Sequence, residues 1–331
     1  MKNLYFLFTL AFMLFASNIK AAEPDLAIEW QKYMSPAGIG FAKFSIDGNY
    51  IYCAVGNTIQ KMDASNGEFV STFENKDVID IYEMQISKNG KTIVTRDGNG
   101  GLNLWDTETE KAVKFIPLYS EGALNGAFCV DITPEGNFLI IGYATFDEIS
   151  RKQYYNLFLY DIQKSEIVKN IPIEGRTKKI KISNDGSIFA FGTSTKDDDE
   201  DKWYQKLTLW DFASFQEIAV LEDNELSSDW GYRHLKFSND DRYLAAVREN
   251  YRGALYSTIS KEQIKYFYDN RGCFNFEFLP DTNYFFIFFI TRDNVYELEL
   301  HNFNGKIRTY NYLDDLMESY GNESNWRILY G

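Results

Sequence analysis

One phrase recurs six times along the chain, and this repeat constrains the fold more than any other feature of the sequence. Each copy begins with an apolar residue and Ser, Thr or Leu, continues through Asp, Asn or Glu and a turn residue, and ends in an apolar run. Successive copies begin 41 to 55 residues apart, a spacing typical of a four-stranded repeat unit. The copies are FSIDGNYIY from Phe44, ISKNGKTIV from Ile86, ITPEGNFLI from Ile132, ISNDGSIFA from Ile182, FSNDDRYLA from Phe237 and FLPDTNYFF from Phe278.

The residues around each phrase predict four strands per repeat. An alternating strand leads into the phrase, which makes a tight turn because Gly and Asn tolerate the positive φ that such turns often need. The next strand is almost continuously apolar, which indicates burial on both faces. A third strand follows, and a further turn leads to a fourth strand. The third strand ends in an aromatic residue and Asp in three repeats, at Trp105-Asp106, Tyr160-Asp161 and Trp210-Asp211.

The phrases resemble WD40 repeats, and GNTIQKMDASNGEFVSTF from Gly56 resembles the YVTN-type repeats of exported bacterial propellers. The resemblance covers about residues 36–313. It implies an all-β fold, a β-propeller of four-stranded antiparallel blades, with six blades expected. A seventh blade is the alternative, assembled from strands at Leu26–Met34 and in residues 325–330. The chain has no Gly-His dipeptide, so it departs from the His-containing hydrogen-bond network of typical WD40 blades. The resemblance implies no particular activity, because propellers host many unrelated ones.

The N-terminal segment is predicted to be a signal peptide. Lys2 precedes an apolar stretch from Leu4 to Ala16, and Ala21 and Ala22 offer a cleavage point. A retained membrane anchor is the alternative, but the stretch is shorter than the roughly 20 residues of a spanning helix. We therefore expect a signal peptide at residues 1–22 and a single propeller domain at residues 23–331. The expected location is periplasmic or extracellular, without stable membrane insertion after cleavage.

Charge and cysteine content exclude other classes of protein. The formal net charge is −14, and nucleic-acid binding needs clustered Lys and Arg, so no nucleic-acid partner is expected. The three cysteines, Cys53, Cys129 and Cys273, lie in apolar strand-like runs without a C-x-x-C pair. This pattern favours buried core residues over a zinc site or disulfide framework, with one bridge between neighbouring blades left open.

Residues suited to catalysis or metal binding are scarce. His234 and His301 are the only histidines, so the sequence predicts neither a zinc site nor a hydrolytic triad. The acidic run at residues 197–201 lacks the spacing and glycine of a calcium loop, and we expect a solvated hairpin loop, with loose cation binding as the alternative. No catalytic residue, metal or cofactor is predicted.

A basic and aromatic constellation gives the candidate binding site. Three arginines come just before the predicted innermost strands of three successive blades, which would bring them to one face near the mouth of the central channel. Two further arginines belong to second-to-third-strand loops on the same face. Guanidinium groups there suit a carboxylate or phosphate, and aromatic residues beside Arg are typical of binding hot spots. The predicted site residues are Arg176, Arg233, Arg271, Arg252 and Arg292, with Trp230 and Tyr232. The alternative is a set of surface arginines paired with nearby acids.

Two other segments have distinct predicted roles. The apolar run Tyr284–Ile290 is predicted to be a core strand, because seven residues cannot span a membrane. Residues 143–155 are predicted to be the longest hairpin loop and a contact surface.

These observations favour a non-enzymatic protein-binding or scaffold propeller of the bacterial envelope or exterior, with another protein or a peptide as partner. One alternative is an enzyme on a propeller scaffold, such as a hydrolase, lyase or oxidoreductase. The other is a sensor that binds a small anionic ligand through the arginines.

Overall fold

The computed structural model describes residues 41–118, 126–147, 149–197, 202–226, 231–267, 272–279, 282–290 and 296–310. All regular secondary structure in these ranges is β-strand apart from turns, and six four-stranded antiparallel sheets are arranged as a β-propeller. The prediction of an all-β propeller with six blades is confirmed. Each blade consists of four consecutive strands. The signal-peptide segment and the two segments considered for a seventh blade lie outside the described residues.

The first of two compact units runs to Ile171 and contains three blades, apart from the last two residues of the third blade. Blade 1 contains β1 (Phe41–Phe44), β2 (Tyr50–Val55), β3 (Thr58–Asp63) and β4 (Phe69–Phe73). Blade 2 contains β5 (Ile81–Ile86), β6 (Thr92–Asp97), β7 (Leu102–Asp106) and β8 (Lys111–Ile116). Blade 3 contains β9 (Gly126–Ile132), β10 (Phe138–Asp147), β11 (Lys152–Asp161) and β12 (Glu166–Ile173).

The second unit, which begins at Pro172, contains the other three blades. Blade 4 contains β13 (Arg176–Ile182), β14 (Ile188–Asp197), β15 (Lys202–Asp211) and β16 (Gln216–Leu226). Blade 5 contains β17 (Tyr232–Phe237), β18 (Tyr243–Arg248), β19 (Gly253–Ser257) and β20 (Gln263–Phe267). Blade 6 contains β21 (Gly272–Phe278), β22 (Tyr284–Ile290), β23 (Tyr296–Asn302) and β24 (Gly305–Tyr310).

The recurring phrase forms the turn between the first and second strands of each blade. In blade 4, the Ser183 hydroxyl donates to the Ile188 carbonyl oxygen over 2.9 Å and accepts from the Ile188 amide over 3.1 Å. Ser45, Ser87, Thr133 and Ser238 occupy the same position in their blades and accept the equivalent amide bond. Blade 6 has Leu279 at this position, and the Thr282 hydroxyl accepts the Tyr284 amide instead. A hydroxyl at this position explains the Ser or Thr of the phrase.

The second strands form the centre of the core, as their continuous apolarity predicts. The run Tyr284–Ile290 is one of them, with Phe285 and Ile287 fully buried, which confirms its core assignment. Cys53, Cys129 and Cys273 are buried, as predicted for core residues, and form no disulfide with one another. Burial raises the pKa of the Cys53 thiol to about 12, so the thiol stays neutral.

The prediction of a long loop at residues 143–155 was wrong. The strands β10 and β11 pair without a break from Phe138 with Asp161 to Asp147 with Lys152, so the segment is an extended hairpin. Backbone pairing stabilises these polar residues as strands even though their side chains contribute little burial. Blade 4 has an equally long hairpin, which pairs from Ile188 with Asp211 to Asp197 with Lys202.

Candidate functional site

A β-bulge recurs at the same place in the innermost strands of blades 2 to 6. In blade 5, Tyr232 pairs with Arg248 and His234 with Val247, so that Arg233 is the extra residue. Bulges locally re-aim a side chain and are common beside binding and active sites. The extra residues are Tyr82 and Phe128 in the first unit, and Lys178, Arg233 and Phe274 in the second.

Arg233 contacts two aromatic rings in the second unit, and these rings stack on each other with a centroid distance of 6.1 Å. Its guanidinium carbon lies 4.7 Å from the centroid of the Tyr251 ring and 4.9 Å from that of Phe274. The Arg233 Nη2 also lies 3.2 Å from Glu249 Oε2. Cation–π contacts and the ion pair fix the guanidinium plane in one orientation. We call Arg233, Glu249, Tyr251 and Phe274 the Arg233 platform.

The hairpin between β18 and β19 positions two members of the platform. The Arg248 amide donates to the Arg252 carbonyl over 2.9 Å, and Tyr251 has a φ of +63°. This left-handed conformation is uncommon for a residue other than Gly, Asn or Asp. The Cys273 amide donates to the Tyr251 carbonyl over 2.7 Å, which connects this hairpin to the innermost strand of blade 6.

Lys178 reaches from blade 4 to the platform. A Cβ built on Gly231 would lie 2.6 Å from Lys178 Cδ, so the lysine stem covers the Gly231 backbone, two residues before Arg233. The Gly231 carbonyl in turn accepts the Glu249 amide over 2.9 Å. Arg176 is the first residue of β13, on the strand that carries Lys178. Contacts through Gly231 therefore connect Lys178 to the platform.

Of the predicted site residues, Arg233 and Arg252 lie at the hairpin end of blade 5, and Arg176 begins the innermost strand of blade 4. Trp230, Arg271 and Arg292 lie outside the described residues. Arg176 and Arg233 lie within their strands rather than just before them. Sequence reasoning missed Lys178, Glu249, Tyr251 and Phe274.

Tyr232 is 1% exposed and belongs to a buried polar cluster below the platform. Its hydroxyl donates to Glu222 Oε2 over 2.9 Å, and the Tyr256 hydroxyl donates to the same oxygen over 2.5 Å. Glu222 also forms an ion pair with Arg248, whose side chain is 8% exposed. The cluster connects β16 of blade 4 to three strands of blade 5, so Tyr232 fixes the position of the strand that carries Arg233.

The burial of this cluster changes how its groups titrate. Burial raises the pKa of Tyr256 to about 12, and it also lowers the pKa of Arg248 from its ordinary value. The Arg248 guanidinium nevertheless stays charged, because arginine does not lose its proton in proteins at ordinary pH. A glycine at position 192 is required beside the cluster, because a Cβ there would lie 1.9 Å from the Tyr232 ring.

The first unit has its own bulge residues. Tyr82 is 55% exposed and packs over Gly98, and the Arg96 guanidinium lies 6.0 Å from its ring centroid. Glu83, next to it, is buried, lies 3.6 Å from Arg96 Nε and accepts the Val130 amide over 3.2 Å. In blade 2, the aromatic bulge residue Tyr82 therefore lies next to the ion pair between buried Glu83 and half-buried Arg96.

Other candidate residues have structural surroundings. His301 is buried, 2.8 Å from Glu299 Oε2, and stacks against Phe285. His234 is a half-buried residue of β17. Only Asp197 of the acidic run is described, at the end of β14. Within the described ranges, no group of three or more His, Cys, Asp or Glu side chains could hold a metal ion.

The described part of the chain contains no helix long and apolar enough to cross a membrane.

Fold and site together define the chain as a six-bladed β-propeller with bulge residues on the innermost strands. Comparison of the sequence with protein-family models and with curated proteins finds no match.

Proposed function

We propose that this chain is a non-enzymatic propeller that binds a protein or peptide through the Arg233 platform. The observation that carries this proposal is the position of the Arg233 guanidinium, which lies on a bulge and contacts the stacked Tyr251 and Phe274 rings. Arg and aromatic residues dominate the binding energy of protein interfaces. A side chain already fixed in place loses little conformational entropy on binding. The platform therefore combines the chemistry and the rigidity of a binding hot spot.

We also propose that the chain is a WD40-like or YVTN-type propeller that is exported to the bacterial envelope or exterior. The six turn phrases support the first part, and the apolar segment that follows Lys2 supports the second. Both rest on the sequence. The fold itself is compatible with many activities.

A small-anion sensor is the second candidate. It is favoured by the four cationic residues Arg176, Lys178, Arg233 and Arg252, which the structure places on innermost strands and a hairpin of blades 4 and 5. Guanidinium groups bind carboxylate and phosphate through paired hydrogen bonds. The two candidates differ in what must fill the site, a chain or a small molecule.

The test is selection of a random peptide library, displayed on phage, against residues 23–331, followed by calorimetry with the synthetic peptides. The expected result is saturable binding of one peptide per protein, which is lost in Arg233→Ala. Binding should be retained in Lys91→Ala, a control substitution in the turn between β5 and β6 of blade 2. If no peptide binds and succinate or inorganic phosphate binds instead, the sensor replaces the peptide-binding proposal. Turnover of any bound compound would contradict the non-enzymatic assignment.

A further inference from the structure

We infer that the peptide bound at this face carries carboxylates, and that the bulge residues Lys178 and Arg233 select it. This inference rests on the proposed function and names the class of its ligand. It also assigns selectivity to two residues by their register, rather than to the basic residues of blades 4 and 5 as a whole.

The register sets Lys178 apart from the other lysines of its strand. Thr177 pairs with Thr193 and Lys179 with Gly192, so that Lys178 is the extra residue of its bulge, as Arg233 is in blade 5. Lys181, farther along β13, sits in regular register opposite Ala190. The bulge turns the Lys178 side chain out of the alternation that Lys179 and Lys181 follow.

The two bulge cations lie on innermost strands that contact each other. The Lys178 stem covers Gly231, whose neighbour Tyr232 leads directly to Arg233. Phe274, the bulge residue of blade 6, contacts the Arg233 guanidinium and stacks on Tyr251. The order across blades 4, 5 and 6 is therefore ammonium, guanidinium and aromatic ring.

This order suits an extended acidic peptide. An ammonium is a point charge that accepts a carboxylate from many directions, whereas the guanidinium fork prefers two parallel hydrogen bonds. Glu249 occupies one edge of Arg233 and excludes a second carboxylate from that side. The half-buried Tyr251 ring supplies apolar surface for the side chains between the acidic residues. Two carboxylates on one chain would engage both cations at once, which a single small anion does less well.

The test compares two fluorescein-labelled octapeptides of alternating residues, one of Glu and Ser and one of Gln and Ser, by fluorescence anisotropy. Succinate and inorganic phosphate serve as competitors. Three proteins are measured: the wild type, Lys178→Met and Lys181→Met. Methionine keeps the apolar stem over Gly231 and removes only the charge, and the Lys181 variant removes an equal charge from the same strand. Thermal unfolding of each protein confirms that it is folded.

The Glu peptide is expected to bind at least about tenfold more tightly than the Gln peptide, as for a charged pair at an interface. Lys178→Met should raise the Kd about fivefold, and Lys181→Met should change it less than about twofold. Equal binding of both peptides, or no binding of the Glu peptide, would overturn the inference. Equal weakening by both variants would show that overall charge rather than register selects the ligand.

The outcomes of the library selection and of the competition experiment distinguish failure of this inference from failure of the proposed function. If library selection yields neutral peptides that depend on Arg233, the binding function stands and the acidic ligand class is refuted. If succinate or phosphate displaces the Glu peptide at equal molar concentration, the site recognises single anions and the peptide class is also refuted.

Discussion

Tyr251 stands at a backbone position that glycine adopts with less strain. Its φ of +63° belongs to the left-handed region, which costs a side chain with a Cβ about 1 kcal/mol. The ring in return stacks on Arg233 with a centroid distance of 4.7 Å. A strained residue at a surface hairpin that contacts the candidate site is more readily explained by binding than by stability.

Replacing Tyr251 tests this explanation. Tyr251→Gly relieves the backbone strain and loses a cation–π contact worth about 0.5–1 kcal/mol, so the free energy of unfolding should stay within about 1 kcal/mol of the wild type. Binding of a selected peptide should nevertheless weaken about tenfold, because the guanidinium of Arg233 loses one of its two rings. Urea unfolding and calorimetry measure the two quantities. A large loss of stability with unchanged binding would assign Tyr251 a structural role.

Tyr256 is expected to make the free energy of unfolding of the second unit decrease at alkaline pH. Its hydroxyl is buried and donates to Glu222, and burial raises its pKa to about 12 from an ordinary value of 10.0. The folded protein therefore keeps a proton that the unfolded chain loses above pH 10. The contribution is fully present below about pH 10 and is lost as the pH rises towards 12.

Tyr256→Phe is expected to be less stable than the wild type by about 1–2 kcal/mol at pH 8, because Glu222 loses a hydrogen bond. The difference should shrink by about 1 kcal/mol at pH 11, because phenylalanine has no proton to lose. Urea unfolding at both pH values, with the other tyrosines common to both proteins, measures this change. A constant difference at the two pH values would show that Tyr256 does not titrate as described.

At the scale of elements, the turn phrase fastens neighbouring blades as well as strands within a blade. The Asn184 side-chain amide donates to the Ser238 carbonyl over 2.8 Å and to Asp241 Oδ1 over 2.7 Å, which connects the turns of blades 4 and 5. Asn239 donates in the same way to the Leu279 carbonyl of blade 6 over 3.1 Å. In the first unit, Asn89 donates to the Glu135 carbonyl over 2.7 Å.

Asn184→Ala is expected to lower the free energy of unfolding by about 1–2 kcal/mol, since it removes two hydrogen bonds between blades. Asn137→Ala is the matched control, because Asn137 is exposed in the equivalent turn of blade 3 and bonds through its backbone. Its stability should change by less than about 0.5 kcal/mol. Equal effects of the two substitutions would contradict a fastening role for Asn184.

The sequence predicts the elements better than it predicts the site. The turn phrases and the apolar second strands locate the blades. Both can be recognised in the sequence, because the hydrogen bonds of the turn and the burial of the strand depend on residues that are adjacent in the chain. The bulges have no such signature, since Tyr82, Phe128, Lys178, Arg233 and Phe274 include both aromatic and cationic residues. Glu222 and Arg248 belong to different blades, and only the folded chain brings them together. Arg233 was predicted from its place near an innermost strand, but its two rings were not.

At the scale of the whole molecule, the chain has a formal net charge of −14, whereas the candidate site in blades 4 and 5 contains several cationic residues. Screening limits long-range repulsion to about 8 Å at physiological ionic strength. An acidic peptide therefore gains from Lys178 and Arg233 mainly at contact distance, and selection operates through close hydrogen bonds rather than through steering over the surface.

Hydrogen–deuterium exchange of residues 23–331, with and without a peptide from the library selection, tests the central claim most directly. The platform account predicts slower exchange on binding in the backbone around Arg233 and from Arg248 to Arg252, and unchanged exchange in the outermost strands β20 and β24. Protection confined to those outermost strands, with exchange around Arg233 unaffected, would contradict it.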